Sequence, residues 1–331
     1  MKSKGNALKS PLSTYRLSIL LLFVLAVFTF SCNTEEGELM DSNANKPSIL
    51  KVLENYGTES NGTASKAGNT KDKKPTFKTL SVALAKTGLA GTVSSNQLTV
   101  FAPTDAAFAK YGLDQKNIGY FPGIVEILLY HVVGGKVFRT DLANGFVPTL
   151  NGAAVEVNLE SGVMINSSNV IIADIEARNG VIHAIDDILF PPTKNLVELA
   201  SSFDPEFSVL LAAATKAELA ETLANAGPFT VFAPTNQAFI DLFEVASVEA
   251  AIDVVNGLTA EDLAPILLYH VVAGRVYSSD LSSGPVTTLN GDFDLDLDTL
   301  TINGDAMLIP NLLNVQATNG VIHVIDSVLI P

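Results

Sequence analysis

The sequence predicts an α+β fold built twice in tandem, and two observations predict it. First, three blocks recur in the same order: TVFAPTDAAF at 99–108 and TVFAPTNQAF at 230–239, ILLYHVVGGKV at 127–137 and ILLYHVVAGRV at 266–276, NGVIHAIDDILFP at 179–191 and NGVIHVIDSVLIP at 319–331. Second, within each copy the apolar residues keep helical spacing before the middle block and strand alternation after it. The closing blocks share nine of thirteen residues. The copies are offset by 131, 139 and 140 residues at the three blocks, so the second carries about eight extra residues between blocks one and two. Repeats this long are whole domains rather than solenoid units, and 331 residues is enough for two cores.

Before the repeats, residues 1–31 have the shape of a secretory signal peptide. Lys2, Lys4, Lys9 and Arg16 precede an apolar run at 17–30 that is too short to span a bilayer comfortably. The run ends at Ser31-Cys32, which resembles the lipobox of bacterial lipoproteins, whose thiol carries lipid such as palmitate and becomes the first mature residue. The alternatives are an ordinary signal with a stray thiol and an uncleaved anchor. Cys32 is the only cysteine, so there is no internal disulfide and stability must come from packing. Residues 1–31 hold four basic and no acidic side chains, so their removal takes the formal charge from −15 to −19. Nucleic-acid phosphates repel such a chain, which excludes nucleic acid as a partner. Residues 32–46 read as a solvated, acidic tether. Its Glu35-Glu36 pair resembles the surface-export signals of some Gram-negative lipoproteins.

The first domain is expected at 47–192 and the second at 193–331, joined at the extended Pro191-Pro192-Thr193 and folding independently. Each opens on a short helix, PSILKVL from Pro47 and TKNLVELA from Thr193. A Gly/Ser/Thr/Asn/Lys-rich insertion at about 55–75 reads as a mobile surface loop, with Lys71, Lys73 and Lys74 solubilising it. Amphipathic helices follow at 77–89 and 207–219, with Phe77, Leu80 and Leu84 inward in one and Phe207, Leu210 and Leu211 in the other. In TVFAPT a short buried strand is stopped by Pro103, and Thr104 (Thr235 in the copy) caps the next helix. Asp105 falls in that helix's first turn, where a carboxylate suits the dipole, and Asn236 takes its place in the copy. ILLYHVV reads as a helix end or strand entrance. Asn151-Gly152 and Asn290-Gly291 signal hairpins, after which Val155, Val157 and Leu159, like Phe293, Leu295 and Leu297, alternate as half-buried antiparallel strands.

All four histidines lie in the repeated blocks: His131, His183, His270 and His323. No HExxH, CxxC or Gly-x-Ser-x-Gly accompanies them, and apolar neighbours flank each one. They therefore read as structural and metal-free, bonded to backbone or to a carboxylate such as Asp186 or Asp326. Asp292, Asp294, Asp296 and Asp298 alternate with apolar residues on one strand face. A straight strand spaces carboxylates about 7 Å apart and lacks a loop to wrap calcium, so they read as a charged edge that discourages sheet pairing, with weak surface calcium binding as the alternative. No phosphate-binding glycine loop and no basic–aromatic interleaving is present. No catalytic residues, cofactor or metal site follow from the sequence.

The three blocks in order, with the Tyr-His pair inside the middle one, resemble the signature boxes and Tyr-His motif of the fasciclin domain, twice over, from about Pro47 to Pro331. The resemblance implies helices packed on a wedge-shaped β-sandwich. It also implies a non-enzymatic family associated with cell adhesion and extracellular-matrix interaction. Carried over by position, Tyr130, His131, Tyr269 and His270 become candidate partner-binding residues, set against a purely structural role. The expected protein is a lipid-anchored adhesion or interaction module, exported to the outer membrane or cell surface, whose partner is a matrix protein, cell-surface protein or glycan. The competing expectation is a surface binding protein for a small apolar or carbohydrate ligand, distinguished by a concave apolar pocket.

Overall fold

The computed structural model describes residues 45–57, 74–203 and 206–331. The signal peptide, Cys32, most of the tether and the heart of the insertion, with Lys71 and Lys73, lie outside these residues. No helix of the described residues is long and apolar enough to cross a membrane.

In the first copy the helices are α1 (Ile49–Asn55), α2 (Lys78–Lys86), α3 (Ala90–Ser95), α4 (Asp105–Ala109) and α5 (Ile124–Tyr130). Its strands are β1 (Leu98–Pro103), β2 (Val132–Gly134), β3 (Gly145–Pro148), β4 (Ala154–Asn158), β5 (Met164–Ile165), β6 (Ser168–Ala177) and β7 (Gly180–Ile185). They form one sheet in the order β2-β1-β7-β6-β5-β4-β3. Tyr130-His131 is thus both a helix end and a strand entrance.

The central pair β1 and β7 runs parallel, and all six residues of each strand are buried. That explains their lack of alternation, because a strand covered on both faces reads as a continuous apolar run. Helices α1 to α5 cover one face around Phe77, Leu80, Leu84 and Phe108. On the other side, Phe101 and Tyr130 pack with Val155, Val157 and Ile165 of the antiparallel wing. Leu159 lies beyond the end of β4 and is exposed. The wing bends away where β6 shifts register against β7, at Val170/Ile172 and Ile172/Ile175, and this bulge opens the wedge.

The second copy repeats the plan with α6 (Leu196–Ser201), α7 (Ser208–Lys216), α8 (Ala220–Asn225), α9 (Asn236–Phe243), α10 (Val248–Gly257) and α11 (Ala260–Tyr269). Its strands are β8 (Phe229–Pro234), β9 (Val271–Ala273), β10 (Gly284–Thr288), β11 (Gly291–Asp296), β12 (Thr301–Ile302), β13 (Ala306–Met307), β14 (Val315–Ala317) and β15 (Gly320–Ile325). The extra residues before its Tyr-His block build α10, whose Ala251 and Val255 pack against α7. Here the sheet is in two parts, β14-β15-β8-β9 and β10-β11-β12-β13, because a helical turn at Pro310–Leu312 interrupts the path that β6 follows unbroken.

Three further expectations change. Strand β11 lies between β10 and β12, so Asp292 and Asp294 mark the outer face of a paired strand, not a sheet edge. The strand ends at Asp296, whose Oδ1 accepts the Asp298 and Thr299 N–H groups in a turn, so Asp298 does not share that face. In α7 the fully buried residues are Val209, Ala213 and Ala214, while Leu210 and Leu211 are half-buried.

Candidate functional site

Each Tyr-His pair is built into the interior. Tyr130 and His131 are 2% and 1% exposed, Tyr269 and His270 6% and 1%. A partner docked on the native surface does not touch them. Tyr130 donates its hydroxyl proton to Ala154 O at 2.8 Å and accepts from Asn166 Nδ2, while Tyr269 donates to Asp292 O at 3.0 Å and accepts from Asn303 Nδ2. Each tyrosine therefore ties the end of a helix to the antiparallel wing.

His131 is held from both ring nitrogens. Nδ1 lies 2.7 Å from Ile127 O, and because a carbonyl only accepts, this nitrogen carries the proton. Nε2 accepts the Leu189 N–H at 2.9 Å. His270 makes the same bonds to Ile266 O and Leu329 N. Burial drives both pKa values down to about 4, against a smaller upward pull from the Ile127 or Ile266 carbonyl. The two rings are neutral pegs between a helix end and the chain leaving the closing strand.

The other pair holds the wedge. His183 Nε2 donates to Val137 O and its Nδ1 accepts the Asp174 N–H; His323 does the same with Val276 O and Asn314 N. Asp174 and Asn314 sit at φ of 57° and 58°, a left-handed conformation that Asp and Asn tolerate. Burial lowers both pKa values; near His183 the Val137 carbonyl and then the Asp174 charge oppose this. Of the two expected kinds of partner, backbone and carboxylate, the rings take backbone groups, and Asp186 and Asp326 do not bond them. They accept the Asn169 and Met307 N–H groups instead, because they follow the strand rather than face its rings. Among the described residues no group of three or more His, Cys, Asp or Glu could hold a metal ion.

Asp105 does more than suit its own helix. Its carboxylate accepts from Thr76 Oγ1 and from the Lys78 and Thr79 N–H groups, capping α2 from outside, since Phe77 at the cap position offers no side-chain acceptor. Burial works to raise its pKa, and these hydrogen bonds outweigh that and leave it lowered. Asn236 caps α7 in the same way through Val209 N.

Two features escaped the sequence reading. One is a contact between the copies, where Phe146 stacks on Tyr277 with centroids 4.5 Å apart and planes 5° apart. Beside it the Ala154 N–H meets both Tyr277 Oη and Gln316 Oε1, and Gln316 Nε2 donates back to Ala154 O. The Ala154 carbonyl therefore serves Tyr130 and Gln316 together. The other is a cavity of about 50 Å³ in the second copy, lined by Leu196, Ala200, Ala214, Leu223, Val231 and Ile322 among others. Its trace in the sequence is that Ala200 and Ala214 stand where the first copy has Leu53 and Leu84, and only the fold brings these two positions onto one space.

The family model described as "Fasciclin domain" matches residues 75–191 and 205–331. The chain is 30% identical to human periostin over 70% of its own length and 28% of periostin's. It is also 30% identical to rabbit transforming growth factor-beta-induced protein ig-h3, over 71% of this chain and 35% of that one. Protein sll1483 of Synechocystis is 40% identical over 41% of this chain and 73% of its own. The chain thus spans about a third of the length of periostin and ig-h3. Among solved structures, a FAS1 domain pair from the insect cell adhesion molecule Fasciclin I aligns over 77% of this chain and 96% of that one, with 21% identity and a TM-score of 0.35.

Proposed function

This chain belongs to the fasciclin-domain family, and from that premise we propose that it is a non-enzymatic adhesion or interaction protein, lipid-anchored at the outer membrane or cell surface. The observation that carries the reading is a recurrent exposed apolar pair. Leu150 and Leu289, at equivalent turns, are 42% and 44% exposed, and Phe190 and Ile330, at equivalent ends of the closing blocks, are 43% and 52% exposed. Scattered apolar side chains on a surface are ordinary, but the same positions left open in both copies suggest a surface presented twice. Tyr111 extends it in the first copy, resting edge-on against Phe190 at 5.2 Å. Two such surfaces on one chain favour bivalent attachment to a matrix protein, cell-surface protein or glycan, where avidity exceeds either single affinity.

In this reading Tyr130, His131, Tyr269 and His270 serve binding indirectly, by fixing the helix ends and turns from which Leu150, Leu289, Phe190 and Ile330 project. The lack of an acid, base or nucleophile set in the blocks supports the non-enzymatic part. The signal-like residues 1–31 and the thiol of Cys32 support export and anchoring.

The test is binding of the protein to matrix-coated surfaces and to cells. Replacing Leu150 and Leu289, or Phe190 and Ile330, with Ser is expected to abolish saturable binding while thermal unfolding stays cooperative. Retained binding in both double variants overturns the proposed surface. For the anchor, Cys32→Ser is expected to shift the protein from the membrane to the soluble fraction, and a variant that stays membrane-bound refutes lipidation.

A further inference from the structure

The second copy does not fill its core as the first does. The bonds from Ile49 N to Asn179 Oδ1 and from Leu196 N to Asn319 Oδ1 mark equivalent helices, so Leu53 of α1 corresponds to Ala200 of α6. Phe77 and Phe207 open the next pair, so Leu84 of α2 corresponds to Ala214 of α7. Leu53 and Leu84 are fully buried in the first core, and Ala200 and Ala214 line the cavity in the second. Around the cavity, Val197 in place of Leu50 removes one more carbon, whereas Leu211 for Ser81 and Leu223 for Val93 return three heavy atoms. The remaining lining positions keep their size, and the net shortfall is four heavy atoms.

The lining offers no free polar group. Its one polar side chain, His270, has both ring nitrogens engaged, with Ile266 O and Leu329 N. Water entering such a space finds no partner, and apolar cavities of this kind stay dry and accept apolar guests. Val197, Leu210, Leu211 and Leu223 are only half-buried, so the space reaches the surface between α6, α7 and α8. At about 50 Å³ it is far smaller than the roughly 300–1,000 Å³ of a typical small-molecule site, and a whole sugar or drug-sized ligand does not fit.

We infer that this cavity is a binding site for the end of an aliphatic chain, of about four carbons, with any polar head left in water at the rim between α6, α7 and α8. The size follows from the four-atom shortfall and the class from the absence of hydrogen-bonding atoms. The first copy, where the buried Leu53 and Leu84 occupy the equivalent positions, is a built-in control. The cavity shares no residue with the proposed adhesive surface.

Methyl-detected NMR of the full chain, labelled at Leu, Ile and Val, tests it with two probes: xenon, and 1-hexanol, whose hydroxyl can remain in solvent. Saturable shifts are expected at Leu196, Leu210, Leu223 and Ile322, and none at Leu53 and Leu84. Ala214→Leu, which restores the first copy's residue, is expected to weaken 1-hexanol binding at least tenfold. Ala200→Val is the milder variant that decides the matter should the leucine not be accommodated. The proposal is overturned by absent saturation in the wild-type chain, by equal shifts in the two copies, or by undiminished affinity in a folded cavity-filling variant.

Discussion

His131 and His270 show how a residue type that suggests chemistry becomes a structural one. Each ring donates to a carbonyl and accepts from an N–H, a pairing only the neutral tautomer can make. Protonation at Nε2 breaks the bond from Leu189 or Leu329 and buries a charge. The folded pKa of about 4 lies below the unfolded value of 6.5, so between these limits the unfolded chain binds more protons. The contribution of each histidine is complete above pH 6.5 and is lost as pH falls toward 4, on the order of 3 kcal/mol apiece. Urea unfolding between pH 7 and 5 is expected to show this decline, and His131→Gln should make it shallower, with His270, His183 and His323 still contributing, while lowering stability at pH 7. A pH slope unaltered by that substitution rules the linkage out. Gly180 is fixed by space instead: a Cβ there would lie 1.9 Å from Leu98 O and 2.6 Å from Ile49 Cδ1. Gly180→Ala should cost about 3 kcal/mol by overpacking, read in the same urea experiment, and a neutral outcome would mean that β1 and β7 can separate without penalty.

At the scale of elements, the start of the closing strand is the fastening point of each copy. Asn179 Oδ1 caps α1 through Ile49 N, and its Nδ2 donates to Val93 O and Asn96 O at the end of α3. Asn319 does the same for α6 and α8 through Leu196 N and the carbonyls of Leu223, Ala224 and Ala226. One side chain thus satisfies orphan groups at the start of one helix and the end of another. Replacing Asn179 with Ala leaves several of these buried groups unpaired, at a cost of about 3 kcal/mol. Hydrogen exchange should then quicken first in α1 and α3. Uniform quickening across the whole copy would show that the asparagine does not act locally. Asn179 and Asn319, the first residues of the closing blocks, are therefore each a double helix cap, which local periodicity does not reveal.

In the whole molecule, the two copies meet through unlike faces. Phe146 and Ala154 of the first engage Tyr277 and Gln316 of the second. The equivalents of the first pair in the second copy are Pro285 and Asp292, and those of the second pair in the first copy are Phe138 and Glu176, the last of which pairs with Lys46. Asp292 facing Glu176 would set like charges together, so the contact does not extend into an open chain of copies. The stack adds about 1 kcal/mol, and each hydrogen bond contributes a similar amount, enough to bias the orientation of the copies. Tyr277→Ala combined with Gln316→Ala is expected to enlarge the radius of gyration in small-angle scattering while both halves remain folded. An unchanged scattering curve shows that the link at 191–193 alone orients them. Expressed by itself, the proposed domain at 193–331 is expected to unfold cooperatively, and a molten product would show that the halves share a core.

What the sequence determined by itself was whatever repeats or recurs over short distances: the tandem plan, the helix starts near Pro47 and at Thr104, the short buried strand of TVFAPT, and the family. These were legible because the cap at Thr104 depends on a group three residues away and the apolar runs depend on their own spacing. Tertiary structure alone decided that β1 and β7 run parallel, that β11 is a central strand, and which partner each histidine takes. Those facts join residues far apart in the chain, as the Asp105 cap on α2 and the Ala154 contact with Gln316 do. The cavity belongs to the same class. Ala200 and Ala214 each read as ordinary buried alanines, and only packing brings the two shortened side chains onto one space.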